Sequence, residues 1–176
     1  QQSAIVRGAL HGTMLRNDIY DFARIGTFIE RADNTARIID VKYYTLLPSS
    51  SFVGSSLDNV QWETILRSVS AHRAFRWLDE DEMTAAGVAR FLILDRRLPR
   101  SLVFSMATTV ENLNYLADEY GERHACHDHA ELMLKKLKER DIASIFDEGL
   151  HEFITNFIQD NYALGQMIER DYKFYG

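Results

Sequence analysis

The strongest constraint on this chain is a seam: Ile25, Ile29, Ala32, Ala36, Ile39, Tyr43 and Leu46 follow one another at alternating steps of four and three residues. That spacing places all of them on one stripe of an α-helix, and no other regular structure does so. The spacing predicts one long helix over 17–47. Asn17 or Asp18 would cap its start, and Pro48 followed by Ser49, Ser50 and Ser51 would stop it. Such a helix spans roughly 45 Å at 1.5 Å per residue and needs other helices to cover its apolar stripe.

The rest of the chain has helical patterning too. After a Ser- and Gly-containing loop over 49–59, a helix is predicted from Val60 to Leu78, with Trp62, Leu66, Val69 and Trp77 in the core. The acidic run Asp79–Glu82 suits the N-terminus of a short helix near Met83–Leu94. Pro99 fits the first turn of the next helix, with Leu102, Met106, Val110, Leu113 and Leu116 inward and Gly121 as its stop. A further helix covers 122–140, Asp141 caps a segment that Gly149 breaks, and a last long helix runs over 150–174. No stretch alternates as a strand would. The fold class expected is all-α, a bundle of five to seven helices with long first and last members, in a single domain over 1–176.

Composition narrows the function classes. With 176 residues the chain buries roughly 70% of its unfolded surface and needs no disulfide or structural metal to fold. Its 20 Lys and Arg against 26 Asp and Glu give a net charge of −6. No basic block offsets that, which argues against nucleic acid as a partner. No run of about 18 apolar residues suggests a membrane span. The single cysteine, Cys126, fits a reducing cytoplasm. The chain opens Gln1-Gln2-Ser3 and reads as part of something longer.

Candidate sites are few. On the first helix Gly26, Glu30, Asp33, Arg37, Asp40 and Tyr44 share a second, polar face, continued by Ile19 and Phe22. Asp33 and Arg37 have the favoured acid-first spacing of an intrahelical pair. Arg31 points about 100° from Glu30, beside Arg24 and Thr35, so the two are expected to reach different neighbours. This face reads either as an ion-paired bundle surface or as a polar pocket. His124, Cys126, His127 and His129 cluster, but the spacing matches no closed zinc site, and no metal or cofactor is expected. Cys126 lacks an evident base and orienting group. His72 and His151 read as interior or edge histidines. Trp62, Phe75, Trp77, Phe153, Phe157 and Tyr162 read as core. No Walker A, GxSxG or dinucleotide glycine motif occurs.

One run goes further than patterning. Arg24-Ile25-Gly26-Thr27-Phe28-Ile29-Glu30-Arg31-Ala32-Asp33-Asn34-Thr35-Ala36-Arg37-Ile38-Ile39-Asp40-Val41-Lys42-Tyr43 resembles the signature of the bacterial Alpha-E family, all-helical proteins named for a Glu-Arg motif. Gln61-Trp62-Glu63, Phe91–Asp95 with Leu98–Phe104, and Gly149–Phe153 agree with it, although Arg96 stands where a proline often follows the aspartate. The resemblance implies the C-terminal half or so of such a protein, without an earlier Glu-Arg helix. It also implies a context. Alpha-E proteins tend to be encoded beside, or fused to, ATP-grasp-type ligases and transglutaminase-like proteins of amide chemistry. The site residues it carries over are Glu30, Arg31, Asp33, Arg37, Asp40, Arg100 and His151. Arg31 and Arg100 would bind anionic groups, with Glu30 and Asp33 orienting them. Three readings follow: a non-catalytic partner of an ATP-grasp ligase, an amide-chemistry enzyme using Glu30 and Arg31, or a purely structural bundle. The amphipathic first helix leaves homo-oligomerisation open.

Overall fold

The computed structural model describes residues 17–42, 56–78 and 83–172. Among these it contains eight helices and no strand: α1 Asp18–Val41, α2 Ser56–Ser68, α3 His72–Leu78, α4 Ala85–Leu94, α5 Leu102–Tyr120, α6 Ala125–Lys138, α7 Ile142–Glu148 and α8 Leu150–Asp171. Tyr43, Tyr44, Leu46, the stop at Pro48 and the acidic run Asp79–Glu82 lie outside the described residues.

Four of the helices form an antiparallel ring. α1 packs on α5, α5 on α6, α6 on α8, and α8 back on α1. Their directions follow from who meets whom. Tyr120 at the end of α5 donates to Asp18 at the start of α1 (2.9 Å), while Phe104 near the start of α5 lies 6.0 Å from Phe28, further along α1. Phe22 of α1 meets Tyr172 beyond the end of α8, and Asp40 meets His151 at its beginning. The smaller helices α2, α3, α4 and α7 gather at the end of the ring holding the C-terminus of α1 and the N-terminus of α8, with α4 touching α2, α5, α6 and α7.

The caps explain why the elements start where they do. Asn17 accepts from the Tyr20 N–H, Thr84 from Gly87, Ser101 from Phe104 and Asp141 from Ser144. Gly121 ends α5 in the left-handed conformation that glycine tolerates best, φ 68°. Asp18 and Asp21 in the first turn of α1 suit its dipole.

The seam is buried as spaced. Ile25, Ala32, Ala36 and Ile39 are all core, the two alanines fully so, while Ile29 is half-buried. Several expectations change. The helix predicted from Val60 to Leu78 begins at Ser56, inside the expected loop, and breaks around Ser70, whose φ is 57°. The break turns α3 outward, so Trp77 is 86% exposed rather than core. Tyr162 also faces solvent, because α8 presents that side away from both neighbours. Pro99 precedes the helix it was expected to open: Ser101 supplies the cap instead. α6 starts at Ala125, after the N-cap His124, and not at Glu122. Ile19, expected to mark a buried part of the polar face, is exposed.

Candidate functional site

The candidate residues, those carried over from the resemblance and the histidine and cysteine cluster, separate into three groups in space. The first is a basic strip where α1 meets the start of α5. Phe28 is buried, and the guanidinium carbons of Arg24 and Arg31 lie 4.8 and 4.7 Å from its ring centre. Arg24 is one turn before Phe28 and Arg31 nearly one turn after, so the helix itself sets both on the ring. Arg100 comes from the turn before the Ser101 cap and is close enough to repel Arg31. The pKa of Arg31 is lowered, first by burial and then by the like charges of Arg100 and Arg24. No carboxylate among the described residues forms an ion pair with any of the three.

That last fact corrects an expectation. Asp33 does not orient Arg31 or Arg100. It accepts from the Nε of Arg37 one turn on, at 2.9 Å on the exposed face. Surface pairs of this kind contribute about 0.3–0.5 kcal/mol. Glu30 is exposed, while Arg31 turns to Phe28, so the two do reach different neighbours as their angular separation requires.

The second group joins Asp40 to His151 across 111 residues of chain. The Nδ1 of His151 lies 2.7 Å from Oδ1 of Asp40, and the two side chains keep 23% and 25% of their surface exposed. The Nε2 of His151 faces the hydroxyl of Thr155, 3.4 Å away and one turn along α8. Two residues after Asp40, Lys42 is buried, donating to Oε1 of Gln61 at 3.0 Å with its Nζ 5.2 Å from the Trp62 ring. The family-like Gln61-Trp62-Glu63 run therefore anchors the end of α1. Its third member, Glu63, gathers Arg67, His72 and Arg76.

The third group is the histidine and cysteine cluster at the opposite end of the ring. Nδ1 of His127 accepts from the His124 backbone N–H at 2.9 Å, which leaves the ring proton on Nε2, 3.0 Å from the Leu113 carbonyl and from the Tyr172 hydroxyl. His129 donates to the Asp160 carbonyl. The Cys126 N–H donates to Oδ2 of Asp171 at 2.9 Å. Burial, then the Asp171 carboxylate, push the Cys126 thiol up to about 12, far from a reactive thiolate. The bonds from Nε2 of His127, from His129 and from the Cys126 N–H cross to other elements, so the knot ties α5, α6 and α8 together. Among the described residues no group of three or more His, Cys, Asp or Glu is arranged to hold a metal ion. No described helix is long and apolar enough to cross a membrane.

Among the residues of these groups that the sequence did not single out are Arg24 and Thr155, and Asp171 and Tyr172 in the third. Arg24 lies two helical turns before Arg31, and Thr155 one turn after His151; both spacings are visible once the partner is known.

An antiparallel helical ring whose first helix carries a Glu-Arg motif, with its arginine in a strip that no carboxylate among the described residues pairs with, defines the class: an all-helical domain with a polar motif on its leading helix. A family model, described as a predicted alpha-helical domain with a conserved ER motif, matches residues 1–172, and the chain belongs to this Alpha-E family. The match takes in residues 1–172, essentially the whole chain. No curated protein and no solved structure matches the chain.

Proposed function

We propose that this domain is a non-catalytic accessory module that receives an anionic group of a partner protein, in a system built around an ATP-grasp-type amide ligase. The observation that carries the reading is the strip of Arg24, Arg31 and Arg100. Three guanidiniums lie together, partly desolvated, with no ion pair to a carboxylate of the described residues. Apart from the two contacts with Phe28, a bundle gains nothing from such a grouping, because like charges held in a medium of reduced dielectric repel one another. An incoming carboxylate or phosphate reverses the sign of that interaction, and guanidinium forks bind either group in charge-assisted pairs. The class of partner comes from the family resemblance, whose members neighbour ATP-grasp-type ligases and transglutaminase-like proteins.

The test is affinity capture from native lysate with the intact parent protein beside its Arg31→Met variant, which keeps an apolar stem against Phe28. An ATP-grasp-type ligase enriched by the parent and reduced by the variant is the expected result. Equal enrichment by both, or none by a well-folded parent, overturns the reading.

A further inference from the structure

We propose that Thr155, His151 and Asp40 form a hydroxyl-activating array that accepts an acyl group from an activated ester. The inference is independent of the arginine strip. Asp40 lies nine residues beyond Arg31, which at 100° per residue is the opposite side of α1.

Three observations carry it. The first is order. A carboxylate oxygen lies 2.7 Å from Nδ1 of an imidazole, whose Nε2 lies 3.4 Å from a hydroxyl oxygen. Asp40 accepting from Nδ1–H fixes the tautomer that leaves the Nε2 lone pair toward Thr155, which is the arrangement by which an imidazole takes a hydroxyl proton. The 3.4 Å separation is longer than a strong hydrogen bond, as such contacts often are before a substrate closes the site.

The second is polarity. Asp40 sits in the last turn of α1 and His151 in the first turn of α8. Helix dipoles disfavour a negative charge at the former position and a positive charge at the latter. An ion pair serving only to clamp the helices would be more stable with its members exchanged. The order present is instead the one in which the carboxylate orients the imidazole toward the Thr155 hydroxyl. The third is position: the Asp40 and His151 side chains are each about a quarter exposed and Thr155 is half-buried, so the array lies at the surface of the ring and not in its core.

The step balances without a further reagent. Oγ1 of Thr155 attacks the carbonyl carbon of the ester and forms the new C–O bond. Its proton passes to Nε2 of His151, held by Asp40. The C–O bond to the leaving group breaks, and the alkoxide or phenoxide departs with the electron pair, taking the proton from His151. The product is an acyl ester on Thr155.

p-Nitrophenyl acetate supplies the probe. The full chain is incubated with it, quenched in acid, and the acetylated peptides are identified by mass spectrometry. The expected outcome is an acetyl group on Thr155 in the parent and in Thr155→Ser, and none at that position in Thr155→Val. Its rate of formation should fall by about 100-fold in His151→Asn and in Asp40→Asn. The Ser and Val variants alter one methyl or one hydroxyl at a half-buried position, so they report even where Asp40→Asn fails to fold. No acetyl group on Thr155 of the folded parent overturns the proposal, as does a rate unchanged by His151→Asn.

Discussion

Arg31 is held where its own charge is disfavoured, by burial and by two neighbouring arginines. Replacing it separates a binding role from a structural one. Arg31→Met forfeits a contact with Phe28 worth about 0.5–1 kcal/mol but relieves the desolvation and the repulsion. Its melting temperature should stay within about 2–4 °C of the parent or rise. A fall of about 10 °C would identify Arg31 as a clamp of the bundle. Asp171 is the opposite case. Burial works against its charge, yet the N–H and thiol of Cys126, aided by Arg170 and His124, hold its pKa below the usual carboxylate value. A depressed carboxylate contributes stability in full above the unfolded pKa of about 3.9 and loses it as the pH falls through the lower folded value. Asp171→Asn should therefore melt about 3–6 °C lower at pH 7, from hydrogen bonds to a charged group worth about 1–2 kcal/mol. The gap should close toward pH 2; a gap of the same size at both ends would refute the assignment. The sequence marked Arg31, Arg100, Asp40 and His151 as worth attention. It did not show that Arg31 meets Arg100 or that Asp40 meets His151, because those pairings are made by α5 and α8 folding back on α1.

At the level of elements, several boundaries set by a side-chain cap or a glycine were legible, the Ser101 cap of α5 was not, and the break set by packing was not. Asn17, Asp141, Gly121 and Gly149 act where their chemistry places them. The break between α2 and α3 had no such signal, because Ser70 enters the left-handed region, φ 57°, without being a glycine. What pays for that conformation is nearby: Val69 and Ala71 on either side are buried in the core. Trp77 was misplaced for this reason, since a helical phase counted from Trp62 does not survive the break. Ser70 is itself exposed, so its side chain contributes little that glycine would lose. Ser70→Gly should stabilise the fold by about 0.5–1 kcal/mol, the left-handed strain relieved less the backbone entropy glycine adds. Chemical denaturation with an unchanged slope and a higher midpoint is the expected readout, and a lower midpoint would show that the serine hydroxyl matters more than its backbone.

Over the whole molecule the distribution of charge matters more than its total. The chain carries −6, which repels a polyanion at long range, while Arg24, Arg31 and Arg100 present a local positive strip. The two fields have different reaches. At about 0.15 M ionic strength the screening length is about 8 Å, so added salt suppresses the long-range repulsion as well as the attraction at an exposed strip. Contacts that are partly desolvated are screened less. A short peptide of consecutive glutamates should bind the parent weakly and its affinity should fall as sodium chloride rises, since the attraction concerns charges meeting at close range and the gain from weakening a diffuse net charge is smaller. In Arg31→Met the middle charge of the strip is gone; binding should drop at low salt and the remaining salt dependence should flatten. Titration calorimetry of both proteins at two salt concentrations decides it. An affinity that rises with salt in the parent would mean the net charge governs the encounter and the strip does not attract the peptide. An identical decline in parent and variant would place the anion site elsewhere on the surface.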